Sequence, residues 1–250
     1  MLDVHPPHHP THTWRDFFIH IATIVVGLLI AVGLEQSVET IHHSHQRHQL
    51  QEDLRGESER VHTALQSNFR TLALERIWLV SLRNDVDAMR SSHGQIKLPY
   101  RPRPAFDPAD PTHAPLVLRW PPDGVWQTAR ESSLVGLLPR WQAEIYSGLA
   151  LQHQLFAAST STWIAEQTNL AAFEMRFNDA ADANAPDLSR MSPADLDQYS
   201  AMLTRNLALR DTVVNRSVIY DASESAILDG ATSRDALSHR ILQQHPNFER

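Results

Sequence analysis

One block of the sequence is apolar almost without interruption. Residues Phe17–Leu34 read FFIHIATIVVGLLIAVGL, which is 18 residues without a charged side chain, and Asp16 and Glu35 flank the block. A helix of this length spans about 27 Å, close to the thickness of the hydrocarbon core of a bilayer. Trp14 lies where an interfacial aromatic residue is expected. The pattern predicts a transmembrane helix over residues 14–34.

Two other interpretations of this block stay open. A cleaved signal peptide is one, because Ala31-Val32-Gly33 has the small-x-small form of a cleavage site. The block is long for a leader, however, and Arg15 is the only fixed positive charge before it. The other interpretation is a buried helix of a soluble protein.

The charges around the block give little information on its orientation. Arg15 precedes it and Arg47 is the first basic residue after it, so the positive-inside signal is weak. A short N-terminal tail before one span favours export of the longer C-terminal part. We therefore expect a bacterial inner-membrane protein with a cytoplasmic N-terminus and a periplasmic C-terminal domain.

Downstream of the block the apolar residues recur at heptad spacing. Leu65, Leu72, Leu79 and Val86 are seven residues apart, and a neighbouring seam is formed by Leu54, Val61, Leu82 and Met89. Such spacing places apolar residues on one face of a helix or in a short coiled coil. The pattern predicts a long amphipathic helix over residues 35–92, continuous with the transmembrane helix.

Proline density and helix signals divide the remainder. Residues 1–13, rich in His and Pro, are expected to be a disordered tail, and residues 93–123 a proline-rich connector. In the helical bundle portion, 124–245, a short helix ends near Ser132 and a second long helix begins at Pro139 and ends near Ala180. Ser192, with Asp195 three residues later, starts a third long helix, which extends to about Gln244 with Gly230 as a potential break. The fold class is therefore all-α, an antiparallel bundle of three long helices and one short helix.

Composition narrows the function classes. The chain has no Cys, which excludes disulfides, thiolate metal sites and a cysteine nucleophile, and its net charge of −7 argues against a nucleic-acid partner. No nucleophile elbow, HExxH, P-loop or dinucleotide-binding motif is present. The expectation is a non-enzymatic protein without a cofactor, although an enzyme of an unrecognised type stays open.

Histidine is the most unusual component of the sequence, because nine of its 15 copies lie in the first 48 residues. After the apolar block, helical spacing places carboxylate and imidazole groups near one another, as a site for zinc or another divalent transition metal requires. The candidate ligands are Glu39, His42, His43, His45 and His48. Alternatively, the imidazoles form a pH-dependent charge ring at the lipid headgroups, or they are ordinary exposed side chains of a polar helix.

Two further features concern helix contacts and aromatic residues. Gly27 and Ala31 form a small-xxx-small pair, which allows two membrane helices to approach closely. This pair and the first long helix are where a homodimer would form. The tryptophans of the C-terminal half are expected in the core rather than in an aromatic ligand pocket; they are Trp120, Trp126, Trp141 and Trp163.

The anchor also resembles that of a known group of proteins. Trp14–Phe18 followed by Ile24–Glu35 is similar to the "IGLLIALGLE"-type anchor of uncharacterised bacterial single-span membrane proteins, which opens a helical domain of unknown function. The segments Val125–Ala129 and Leu137–Pro139, with Tyr146, resemble the middle of that family. The resemblance implies localisation and architecture, and it carries no activity or functional residue.

Together these patterns predict a membrane-anchored helical bundle that acts through protein interaction, as a scaffold, an assembly factor or a sensor-like module. Its expected partners are the lipid bilayer, a second copy of the chain and a protein that the sequence does not identify. The alternative function is a metal- or pH-responsive membrane protein that uses the juxtamembrane histidines.

Overall fold

A computed structural model describes residues 14–92, 118–178 and 186–244. Within these ranges the chain forms helices and no strand, so the all-α prediction is confirmed. The helices are α1 (Trp14–Ser91), α2 (Gly124–Glu131), α3 (Arg140–Glu174), α4 (Pro193–Leu228) and α5 (Arg234–Gln244). The predicted disordered tail, 1–13, and most of the predicted connector lie outside the described residues.

The chain divides into two compact units, Met1–Leu50 and Gln51–Arg250. In the first unit every described side chain from Trp14 to Leu34 is exposed, including all the large apolar ones. This part of α1 is long and apolar enough to cross a membrane, by length and composition alone.

In the second unit, α1 buries one continuous seam. The buried positions alternate between spacings of three and four residues, as in a heptad repeat, and all are at most 5% exposed. The heptad prediction for this part of α1 is therefore confirmed. The seam consists of Leu54, Ser58, Val61, Leu65, Asn68, Leu72, Glu75, Leu79, Leu82, Val86 and Met89.

Helices α1, α3 and α4 pack around two apolar clusters. One cluster joins Leu79 of α1 to Leu170 of α3 and Leu203 of α4. The other cluster joins Leu65 of α1 and Phe156 of α3 to Val213 of α4. Compared with the first cluster, it uses earlier residues of α1 and α3 and a later residue of α4. Chain order along the two clusters shows that α4 runs antiparallel to α1 and α3, whereas α1 and α3 run parallel. Because α1 and α3 run parallel, α3 starts at the same end of the bundle as this part of α1.

The ends of α4 follow the local signals in the sequence. At its start Ser192 Oγ accepts from Asp195 N at 3.2 Å, and the Asp195 carboxylate accepts from Ser192 N at 3.1 Å, which completes the predicted capping box. At its end Gly230 has a φ of 86°. Ala231 N donates to Ala226 O at 2.9 Å, the six-to-one bond of a Schellman motif. The third long helix therefore ends at Leu228, and α5 is a separate helix.

Candidate functional site

The predicted metal ligands lie on α1 in the first unit. Glu39 and the histidines at 42, 43, 45 and 48 are exposed, and the rings of His42 and His43 have centroids 6.4 Å apart. Among the described residues, no three His, Asp or Glu side chains form a group that could hold a metal ion. The metal site stays a prediction, since exposed side chains on one helix face can change rotamer around an ion.

The predicted contact pair in the membrane helix is open. Gly27 and Ala31 are exposed, and a Cβ added at Gly27 would meet nothing within 4 Å. A face of small residues that no described part of the chain covers is free to receive a second helix. The proposed pairing is not tested by this observation and stays a prediction.

The second unit contains a polar cleft that sequence analysis did not identify. Its empty space, counted together with the solvent at its mouth, is about 300 Å³. We call it the α2 cleft, because α2 begins at its edge and α1, α3 and α4 form its walls. It is lined by Leu54, Glu57, Ser58, Val61, Pro122, Asp123, Trp126, Tyr146, Leu149, Ala150, Tyr220 and Glu224.

Glu57 of α1 holds the start of α2 against the bundle. Its Oε1 accepts from Val125 N at 2.9 Å and its Oε2 accepts from Trp126 N at 3.2 Å. Amide groups in the first turn of a helix have no partner within the helix, and they favour negative charge. Asp123, at the N-cap position, makes no side-chain cap hydrogen bond. A carboxylate from another helix therefore caps α2 and fixes Trp126 in the cleft wall.

Glu224 is the most strongly perturbed carboxyl group of the cleft. Glu224 is 2% exposed, and this burial raises the pKa of its carboxyl group to about 7. The charges of Glu57 and Asp221 act in the same direction, while a hydrogen bond with Ser58 opposes them. Burial also raises the pKa of Tyr146, which hydrogen bonds with the same Ser58, to about 12. Glu224 is therefore about half protonated near neutral pH.

A string of polar side chains connects α4 with α3 and with the residue before α2. The Nδ1 of His153 lies 3.5 Å from the Tyr220 hydroxyl, and its Nε2 lies 3.4 Å from a carboxylate oxygen of Asp123. Burial raises the pKa of Tyr220 above its usual value, and the charges of Glu224, Glu57 and Asp123 add to this effect. The tyrosine hydroxyl is thus neutral at physiological pH.

The electrostatics of the α2 cleft suit a cation. Three carboxyl groups line it, from Glu57, Asp123 and Glu224, and none of its lining residues is Lys or Arg. A reaction that builds negative charge in its transition state needs donors or cations aimed at that charge. The charged groups that line the cleft are carboxyl groups, which do not provide such stabilisation.

The expectation that the four tryptophans lie in the core is half right. Trp126 and Trp163 are 6% and 5% exposed, whereas Trp120 and Trp141 are 53% and 36% exposed. Trp126 also lines the cleft, which makes it part of an aromatic wall with Tyr146; their rings stack with centroids 5.8 Å apart.

A heptad signal in α4 could have identified Glu224. The fully inward positions of α4 alternate by four and three residues, and its second half places polar or aromatic side chains there. The apolar residues Val214, Val218 and Ile227 lie in the same half of α4 but are only partly buried. The full inward set is Tyr199, Leu203, Asn206, Arg210, Val213, Ser217, Tyr220 and Glu224.

Comparisons with known proteins add no identification. No family model matches the chain, and no curated protein and no solved structure is significantly similar to it. The resemblance of the anchor to uncharacterised single-span proteins therefore stays an expectation from the sequence.

Proposed function

We propose that this chain is a single-span bacterial inner-membrane protein whose helical bundle acts through protein interaction and not through catalysis. The observation that carries the membrane assignment is the exposed apolar part of α1. Its large side chains, such as Ile24, Leu28 and Leu34, are 63–64% exposed. An apolar surface of this length requires a cover, and a bilayer provides one of matching thickness.

The bundle supports an interaction function because most of its buried polar groups are already used in structural contacts. Glu75 accepts from Gln167 at 2.7 Å, and Glu174 accepts from the Tyr199 hydroxyl at 2.7 Å. These bonds join α1 to α3 and α3 to α4. Polar groups that are satisfied in this way fix the mutual placement of helices and leave little for chemistry on a substrate.

Membrane fractionation and reporter fusions test the membrane assignment. We expect the full chain to stay in the membrane pellet after an alkaline carbonate wash, and a variant lacking residues 14–34 to become soluble. A C-terminal alkaline phosphatase fusion should be active and a C-terminal fluorescent-protein fusion dark, since the C-terminus is proposed to be periplasmic.

Three outcomes would contradict parts of this assignment. A soluble full chain would exclude the span. A mature protein from which the N-terminal segment has been cleaved would identify residues 14–34 as part of a signal peptide. A fluorescent fusion together with an inactive phosphatase fusion would place the C-terminus in the cytoplasm. The proposed topology would then be wrong, and the proposed span would stand.

The second candidate function is a metal- or pH-responsive protein that uses the juxtamembrane histidines. The observation that favours it is the exposure of His42, His43, His45 and His48 along one short stretch of α1. Imidazoles three or four residues apart on a helix can bind one divalent ion.

Calorimetric titration of zinc, copper or nickel into the full chain in detergent micelles tests this candidate. We expect a dissociation constant on the order of micromolar or tighter. Alanine at His42 and His45 should abolish binding, and alanine at the exposed His239 of α5 should leave it unchanged. Equal binding by all these variants would exclude a site at the predicted ligands.

A further inference from the structure

Two buried groups in the α2 cleft have unused hydrogen-bonding capacity. The Glu224 Oε2 and the Trp126 Nε1 have no hydrogen-bond partner among the described residues. The two residues are only 2% and 6% exposed, and both line the cleft. Buried polar atoms are nearly always paired, and an unpaired one costs about 1–3 kcal/mol. An occupant that donates to Glu224 and accepts from Trp126 would remove both costs.

The charge of the cleft selects a cationic occupant. Glu57, Asp123 and Glu224 supply its charged groups. Arg55, a cation whose charge acts on Tyr146 of the cleft, has a side chain that is 60% exposed to solvent. Glu57 is already engaged with the amides of α2, and Asp123 is engaged with the side chains of Gln127 and His153. Glu224 is therefore the carboxylate available to an incoming cation.

Geometry favours a primary ammonium group over a metal ion or a quaternary ammonium. Within the described ranges, no group of three His, Asp or Glu side chains could hold a metal ion. A quaternary ammonium needs aromatic faces turned toward it. The rings of Trp126 and Tyr146 instead stack on each other, with 28° between their planes. A primary ammonium is compact and donates three hydrogen bonds, which suits the Glu224 carboxylate.

We propose that the α2 cleft binds a small amino alcohol, with its ammonium group on the Glu224 carboxylate and its oxygen accepting from Trp126 Nε1. An amine bearing a phosphate group fits this site poorly, because the phosphate would face the cleft's carboxylates. The occupant is thus the free amino alcohol and not the headgroup of a phospholipid. This binding function is independent of the membrane assignment, and it would make the bundle a ligand sensor.

Binding depends on pH in a defined direction. An ammonium ion favours the ionised form of Glu224, whose pKa in the empty cleft is raised to about 7. The groups that face it are Glu57 and Ser58 of α1, Tyr146 of α3, and Tyr220 and Asp221 of α4; Asp123 lies before α2 at the cleft edge. Because the amine itself stays protonated over this range, affinity should rise about tenfold between pH 6 and pH 8.

Calorimetry with ethanolamine on the full chain in detergent micelles tests the proposal. We expect a dissociation constant on the order of 1 mM or tighter at pH 8. Glu224→Gln, which keeps the shape of the side chain and removes its charge, should weaken binding at least tenfold. Glu166→Gln is the matched control, since Glu166 is a buried carboxylate of α3 outside the cleft. Circular dichroism should show that both variants retain the helix content of the wild type.

Ethylamine separates the contribution of the oxygen from that of the ammonium. Wild type should bind ethanolamine more tightly than ethylamine, and Trp126→Phe, which keeps a ring and removes the N–H donor, should abolish this difference. Four results would overturn the proposal: no binding of ethanolamine at concentrations on the order of 10 mM, equal weakening by the Glu224 and Glu166 variants, equal affinity for phosphoethanolamine, or affinity that does not rise with pH.

Discussion

At the scale of single residues, the core of the bundle is defined by polar side chains with specific partners. The Nδ2 of Asn68 donates to Arg119 O at 2.8 Å, and its Oδ1 accepts from Arg119 N at 2.7 Å. Arg210 Nε donates to Leu72 O at 2.9 Å. The two bonds of Asn68 hold the segment before α2 on α1, and the bond of Arg210 fixes where α4 lies along α1. Such residues therefore select one packing arrangement, which a purely apolar seam would leave less defined.

Glu224 should make stability depend on pH. Its pKa is about 7 in the folded chain against a usual value of 4.5, so the folded state binds the proton more tightly than the unfolded state. Stability is therefore greatest below pH 4.5 as far as this group is concerned, and it falls as the pH rises toward 7. At about 1.4 kcal/mol per pKa unit the loss is roughly 3 kcal/mol as an upper bound.

The variant Glu224→Gln, which cannot ionise, measures this effect. Its free energy of unfolding, from denaturant titration of the full chain in detergent micelles, should exceed that of wild type at pH 8 and approach it at pH 5. Glu166→Gln provides the comparison at both pH values. If Glu224→Gln raised the free energy of unfolding by the same amount at pH 5 and at pH 8, Glu224 would not titrate between these two pH values.

At the scale of elements, α2 depends on a partner from outside itself. It has only eight residues, too few for a helix that is stable in isolation, and its buried residues are Trp126 and Ala129. Two of its amides bond to Glu57 of α1. The short helix is thus formed by docking, and the carboxylate that docks it also shapes the α2 cleft.

Glu57→Ala should consequently destabilise the bundle by about 2–3 kcal/mol, because it leaves two amides at the buried end of α2 without acceptors. The control is Glu59→Ala two residues away. Glu59 is exposed and forms only a 3.7 Å pair with Arg55, so its loss should change the free energy of unfolding by no more than about 0.5 kcal/mol. Equal effects of the two substitutions in chemical denaturation would show that the cap contributes nothing specific.

At the scale of the whole molecule, the exposed apolar part of α1 is where the proposed homodimer would form. Gly27 and Ala31 leave a shallow face on this helix, and nothing described in the chain covers it. Close approach of two such faces increases van der Waals contact between helices in a bilayer, where the hydrophobic effect supplies no driving force.

Gly27→Leu should therefore weaken self-association of the full chain. Energy transfer between donor- and acceptor-labelled copies in detergent micelles should fall severalfold, because the larger side chain separates the helices. Ala22→Leu adds similar volume on another side of the same helix, and it should leave the transfer unchanged. Equal transfer in wild type and both variants would exclude a dimer through this face.

The sequence alone determined the local features of this protein. A largely apolar block of 18 residues, a heptad of leucines, a capping box at Ser192 and a helix-ending Gly230 are each encoded within a few turns of chain. Their structural consequences arise from steric and hydrogen-bonding rules that act over the same short distance. For this reason the helices, most of their ends and the all-α class could be predicted.

Only the tertiary structure decided which helices run parallel and which polar residues meet. Glu57, Trp126 and Glu224 lie far apart in the sequence, and their types are ordinary for helical surfaces. Apolar periodicity predicts which side of a helix is buried, but it does not specify a partner. The α2 cleft exists because packing of α1, α3 and α4 brings these side chains together, and burial there, rather than residue type, changes the chemistry of Glu224.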